Sequence, residues 1–247
     1  MGKVYLVGSG PGAADLLTLR AARLLEAADI VFHDALVHPD TLAIAVRARL
    51  VDVGKRYGKV STEQRFINRS LVEAARTHAV VVRLKGGDPM LFGRAQEELD
   101  ALDAAGIECE VVPGVTAALA AAATLRASLT RRGVARSVAF LTPRVGRGEG
   151  NSEWLPAALG ADSVVLYMAA GAAQAIARSL IEGGKPASTP VALVESASLT
   201  GESHLHTTLQ ALAANPLARA AGPVVMCVGE VFRARVNALT LEQCRAG

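Results

Sequence analysis

Short apolar runs rich in valine alternate along this chain with stretches whose apolar residues recur every three or four positions. The first kind reads as buried strands and the second as amphipathic helices. In the first half the runs predict strands over 3–7, 29–33, 50–53, 80–84 and 108–112. Between them Leu17, Ala21, Leu24, Leu25 and Ala28 mark one helical face. Ile67, Ser70, Leu71, Ala74 and Ala75 mark another, and Ser61 with Gln64 resembles a capping box at its start. This βαβα order predicts a mostly parallel, open α/β sheet.

Pro113-Gly114 closes that unit, and an alanine-rich helix is expected over 116–124. The second half predicts strands at 137–141, 163–168, 190–195, 203–208 and 224–228, with an antiparallel pair around Thr200-Gly201-Glu202. Residues 144–152, polar and glycine-rich, are expected to form a loop. The expectation is two α/β domains, a mostly parallel one over 1–114 and a mixed-sheet one over 115–247.

Composition narrows the class. Of 247 residues, 51% are hydrophobic and 20% charged, which is ample for a core. A net charge of +3 is too small to argue for a nucleic-acid partner. The longest soft apolar run, 115–125, falls far short of the roughly 20 residues that span a bilayer. Lys3 leads straight into a strand, so no signal peptide is expected. Cys109, Cys227 and Cys244 are scattered and odd in number. They suit core packing in a reducing cytoplasm, not a disulfide framework or a metal site.

The chemistry concentrates at strand ends. Val82-Arg83-Leu84-Lys85 runs into Gly86-Gly87-Asp88-Pro89. Two glycines there leave the backbone bare for a small ligand, and Asp88 adds a fixed acceptor in a loop with little expected core role. Pro89 suits the first position of a following helix. A second glycine loop, Gly8-Ser9-Gly10-Pro11-Gly12-Ala13, fits the dinucleotide pattern G-x-G-x-x-A. Asp29 and Asp34 lie near the spacing of a ribose-binding acid. Against that reading, Pro11 has no N–H for a phosphate, and the next helix opens late. On these residues alone a nicotinamide or flavin enzyme stays open.

Taken together, the motifs resemble the tetrapyrrole methyltransferases, and within them those that act on uroporphyrinogen III. The resemblance rests on Val7 to Gly12, Asp34-Ala35-Leu36-Val37, Val53-Gly54-Lys55-Arg56, Arg83 to Pro89, Phe92-Gly93-Arg94 and Glu97-Glu98. Val112 to Ala117, Leu166-Tyr167-Met168, Pro190 to Glu195 and Val228-Gly229-Glu230-Val231 continue it. It implies two α/β domains with an active-site cleft between them, a homodimer, and S-adenosylmethionine as methyl donor with S-adenosylhomocysteine as product. It also implies two methylations of uroporphyrinogen III to give precorrin-2, on the way to sirohaem, haem d1 or cobalamin.

The resemblance further implies donor contacts from Pro11, Gly86, Gly87, Asp88, Leu91, Thr116, Ala117, Met168, Ala197 and Val224. It carries a proton acceptor onto Asp34 and a proton donor onto Lys55. Arg94 and Glu97, three apart on one helical face, form a second catalytic pair, with a surface salt bridge as the plainer alternative. Guanidinium forks suit a carboxylate-rich macrocycle, which singles out Arg56, Arg94, Arg131, Arg132 and Arg136. His204 and His206 share a strand face, but two ligands do not make a metal site. Departures from the family pattern fall mostly on the substrate side: Ala95-Gln96 after Arg94, Arg131, Pro143-Arg144 and Ala197. Another precorrin methyltransferase and a non-catalytic tetrapyrrole-binding protein remain as alternatives.

Overall fold

The computed structural model describes residues 2–54, 64–144, 153–215 and 220–233. The chain divides into two compact units, Met1–Ala117 and Ala118–Gly247. In the first, β1 (Lys3–Gly8), α1 (Leu19–Ala27), β2 (Ile30–His33), α2 (Pro39–Leu42) and β3 (Arg49–Asp52) are followed by α3 (Gln64–Thr77), β4 (Val80–Lys85), α4 (Ala95–Ala104) and β5 (Cys109–Val112). All strand pairs are parallel, in the order β3-β2-β4-β1-β5.

The period of two along the strands sorts side chains between two cores. Val4, Leu6, Ile30, Phe32 and Val81 pack under α3 and α4 with Ile67, Leu71 and Leu102. Val7, Val31, Val82 and Leu84 pack on the other face with Ala21 and Leu25 of α1. Thr18 caps α1 by accepting from the Ala21 amide at 3.1 Å. Both faces are therefore covered, as a parallel sheet requires. β1 and β4 are central neighbours, and the connections leaving them run toward opposite edges. In such sheets the crevice for ligands opens at the strands' C-terminal ends.

The second unit holds most of α5 (Ala117–Thr124), then β6 (Val138–Leu141), α6 (Trp154–Gly160), β7 (Ser163–Tyr167), α7 (Ala173–Glu182), β8 (Pro190–Glu195), β9 (Ser203–Thr208), α8 (Leu209–Ala214) and β10 (Val224–Gly229). Its order is β6-β7-β10-β8-β9, with only β6–β7 parallel. The β8–β9 hairpin is the antiparallel pair expected around Gly201. Helices α6, α7 and α8 bury Ala158, Ile176, Leu180 and Leu212 against Leu166, Leu193 and Met226.

Two local expectations are corrected, and one short helix was not expected. Pro89 does not open a helix: residues 89–93 form turns and α4 begins at Ala95. α2, with Pro39 at its first position, interrupts a segment that carried no helical signal. Asp29 lies at the N-terminal end of β2, where its Oδ2 accepts from the Ala79 and Val80 amides at 2.9 and 2.8 Å. That is the wrong end of the sheet for a ribose-binding acid.

Candidate functional site

Three turns meet at the C-terminal edge of the first sheet. Ser9 N–H donates to Lys85 O at 2.8 Å, and Gly10 and Gly87 exchange both backbone hydrogen bonds at 3.2 and 2.7 Å. A Cβ on Gly8 would lie 2.6 Å from the Gly114 Cα and 2.7 Å from Gly87 O. One on Gly114 would lie 2.3 Å from Gly87 O. The loops after β1, β4 and β5 thus pack backbone on backbone, which only glycine permits.

Asp88 locks this arrangement. Its Oδ1 accepts from the Met90 amide at 2.8 Å and its Oδ2 from the Gly114 amide at 2.9 Å. The expectation of an Asp88 with little core role is therefore wrong, because the carboxylate ties two loops together. Gly86, in contrast, is exposed, and a Cβ there would meet only the Leu36 side chain, at 3.5 Å. Gly87 takes a φ of +68° and has Thr116 as its neighbour. Bare peptide groups beside open space form a cradle suited to the amino-acid and ribose groups of a nucleoside ligand. Pro11 sits in the first of these loops, Leu91 beyond the second and Ala117 after the third; all three are half-buried.

Asp34 follows β2 at the same sheet edge, with its side chain 31% exposed. Its Oδ1 accepts from Arg83 Nη2 at 2.6 Å. Alternation along β4 turns Val81, Arg83 and Lys85 toward α3 and α4, so two cations enter a buried face. Their counter-ion is Glu98, which shares α4's buried stripe with Ala95 and Leu102 and is 0% exposed. Glu98 Oε1 accepts from Arg83 Nε at 2.9 Å, and Oε2 from Lys85 Nζ at 2.8 Å. Burial pushes the Lys85 ammonium below its ordinary range, and the neighbouring Arg83 charge adds to the fall. The Arg83 guanidinium loses to burial but gains more from Asp34 and Glu98, and ends above its ordinary value.

Arg83, Lys85 and Glu98 stood in the quoted motifs but were given no role in the sequence reading. The signal was present: charges inside a fully buried strand require a buried partner. Arg94 and Glu97 do pair, through Nε–Oε1 at 2.6 Å and Nη2–Oε2 at 2.7 Å, and both are about half exposed. Arg94 is the N-cap of α4 and holds a left-handed φ of 55°. Lys55 and Arg56 lie outside the described residues.

In the second unit, Met168 follows β7, Ala197 follows β8 and Val224 opens β10. The antiparallel register of β10 with both neighbours brings these three to one sheet edge. Met168, Ser196 and Ser198 there have φ of 56°, 52° and 73°. Together with Phe92 and Arg94 they make five of the six non-glycine residues at positive φ among the described residues. Such conformations cost about 1–3 kcal/mol each and gather at functional sites. Met168 is 48% exposed and offers an apolar surface; Ala197 is buried and Val224 half-buried.

Arg131 and Arg132 are exposed on a tight turn closed by Arg131 N–H to Ala135 O at 2.9 Å. The structure does not bring this segment to the Met168 edge. The Arg136 amide donates to Asp162 Oδ2 at 2.8 Å, just before β7, at the other end of the sheet. A cavity of about 350 Å³ lies at that other end, lined by Val134, Asp162, Lys185 and Glu230 among others, and by none of the expected donor contacts. The His204 and His206 rings stack edge-on at 5.4 Å. Among the described residues no cluster of three or more His, Cys, Asp or Glu could hold a metal ion, and no helix is long and apolar enough to cross a membrane.

Residues 3–213 match the family of tetrapyrrole (corrin/porphyrin) methylases. The chain is 45% identical over 237 residues to a uroporphyrinogen-III C-methyltransferase of Paracoccus denitrificans, covering 94% of this chain and 82% of that protein. It is 42% identical to a siroheme synthase of Azotobacter vinelandii, of which it spans about half, 51%. A crystal structure of uroporphyrin-III C-methyl transferase from Thermus thermophilus complexed with S-adenyl homocysteine superposes with a TM-score of 0.84. That protein is 40% identical, with 94% of this chain and all of that one covered. The chain belongs to the tetrapyrrole methylases.

Proposed function

We propose that this protein is an S-adenosylmethionine-dependent C-methyltransferase that converts uroporphyrinogen III to precorrin-2 by two methylations. The observation that carries the reading is the glycine cradle at the first sheet's C-terminal edge. Gly86 and Gly87 are held open there by the Asp88–Gly114 bond and the Gly10–Gly87 bridge. The cradle fits S-adenosylmethionine. When bound, that group supplies an electrophilic methyl on a sulfonium.

Peptide groups of Gly86 and Gly87, flanked by Pro11 and Thr116, meet the polar parts of the donor. Leu91 and Ala117 supply apolar contacts beside the cradle, and the family resemblance implies Met168, Ala197 and Val224 as further donor contacts. A pyrrole carbon of a porphyrinogen is already electron-rich, so alignment matters more than activation. One proton must leave the ring after methylation, and Asp34 is the acceptor for it. Lys55 is the matching proton donor. Arg94 and Glu97 orient the acceptor ring, and Arg56 meets its carboxylates; Arg131 and Arg132, at the other end of their sheet, are left out of this reading. The reading includes a homodimer in the cytoplasm.

A turnover assay tests it. With reduced uroporphyrinogen III and S-adenosylmethionine, S-adenosylhomocysteine should accumulate only when both are present. Absence of that product with folded protein would overturn the reading.

A further inference from the structure

We propose that Glu98 is a positioning residue for Asp34 and acts through Arg83. The inference rests on the reading of Asp34 as proton acceptor. The two carboxylates are not in contact; a single guanidinium spans them. Arg83 Nε is held by Glu98 Oε1 at 2.9 Å, Nη1 donates to Leu84 O at 3.1 Å, and Nη2 donates to Asp34 Oδ1 at 2.6 Å. All three nitrogens are engaged, so the planar fork has one orientation.

Glu98 is equally constrained. Lys85 Nζ holds its second oxygen at 2.8 Å, and Gln64 Nε2 adds a bond to the first at 3.2 Å. The chain Lys85–Glu98–Arg83–Asp34 therefore runs from a sealed interior to the sheet edge, and ends on a carboxylate that is 31% exposed. Among the described residues Asp34 Oδ2 has no partner, which leaves it for the departing proton. Stability alone does not account for the arrangement. Buried ion networks are matched or exceeded by apolar packing of similar volume. Four charged groups in line instead fix where one carboxylate oxygen points. The network also shapes the loop before α4. A Cβ on Gly93 would meet Lys85 Cε at 3.1 Å and Pro89 O at 2.7 Å, so the lysine stem takes the space that any side chain at 93 would need.

The test is a kinetic cycle of Glu98→Gln, Asp34→Asn and the double variant, with kcat, both KM values and the S-adenosylhomocysteine dissociation constant measured for each. Glu98→Gln should lower kcat about ten-fold or more with donor affinity changed less than about two-fold. In the Asp34→Asn background the same change should cost nothing further. Losses that multiply would overturn the positioning role while leaving Asp34 as acceptor. A wild-type kcat for Asp34→Asn would overturn both. If Glu98→Gln does not fold, Arg83→Lys carries the same cycle, because one ammonium cannot bridge Glu98 and Asp34. Donor affinity that collapses with kcat in either variant would assign the network to the cradle instead.

Discussion

Arg83 Nη2 lies 2.6 Å from Asp34 Oδ1, and this bond joins the central strand β4 to the turn that follows β2. Arg83 is buried while Asp34 is partly exposed. The carboxylate proposed as proton acceptor is thus held from inside the sheet, by a cation that solvent scarcely reaches. The two strands are direct neighbours, with Phe32 in register with Arg83.

Removing Glu98 should be costly. Glu98→Ala leaves Arg83 and Lys85 buried without their shared counter-ion, and breaking such a pair costs about 3–5 kcal/mol. Urea denaturation near neutral pH should show a loss of that order. A loss under about 1 kcal/mol would mean that water reaches the cations, contrary to their burial.

Glycines of the three loops should separate by role. Gly8→Ala drives a Cβ into the Gly114 backbone and should yield little folded protein. Gly86→Ala meets only a side chain at ordinary contact distance, so its melting temperature should stay near wild type. Its affinity for S-adenosylhomocysteine should fall, because the methyl group fills the cradle. Asp88→Ala should lower both, since Met90 and Gly114 lose their acceptor at about 1–3 kcal/mol of unmet hydrogen bonding. Calorimetry and thermal melts on the three variants check this pattern.

Much of this was legible in the sequence. Strand positions follow from runs such as 190–195, whose apolar content leaves little else. The three turns at Gly8, Gly86 and Gly114 announced themselves by residue type. Their direct contact did not, because nothing local says that Gly8 and Gly114 approach to the point where a Cβ has no room. Asp88 misled for the same reason: a short acid in a glycine loop looks free until Gly114, 26 residues on, donates to it. Glu98 was hidden by its neighbour. Glu97 and Glu98 read alike in sequence, yet a 100° step around α4 leaves one half exposed and buries the other completely.

Arg94→Lys should retain the fold and lose turnover. The exposed pair with Glu97 is worth at most about 1 kcal/mol, so melting should barely change. Lysine cannot reproduce the two parallel bonds, and the acceptor would lose its planar guide. Unchanged kcat would reduce the pair to a surface salt bridge.

Cys109 and Cys227 should resist labelling. Burial pushes the Cys227 thiol up to about 12 and the Cys109 thiol up to about 11. The thiolate is the reactive form, so native Cys227 should not react with Ellman's reagent near pH 8 until the chain unfolds. Both folded values lie above the unfolded one, so the folded state holds protons that the unfolded state releases. This contribution is whole below about pH 9 and lost as pH rises through about 11 to 12. Cys227→Val should flatten that alkaline decline in urea midpoints; an unchanged slope would refute the assignment.

The most direct measurement counts methyl groups. Reduced uroporphyrinogen III, incubated with methyl-labelled S-adenosylmethionine and this protein, should yield a macrocycle carrying two labelled methyls by mass, with Asp34→Asn yielding few or none. An unlabelled macrocycle from folded protein that binds S-adenosylhomocysteine would contradict the account.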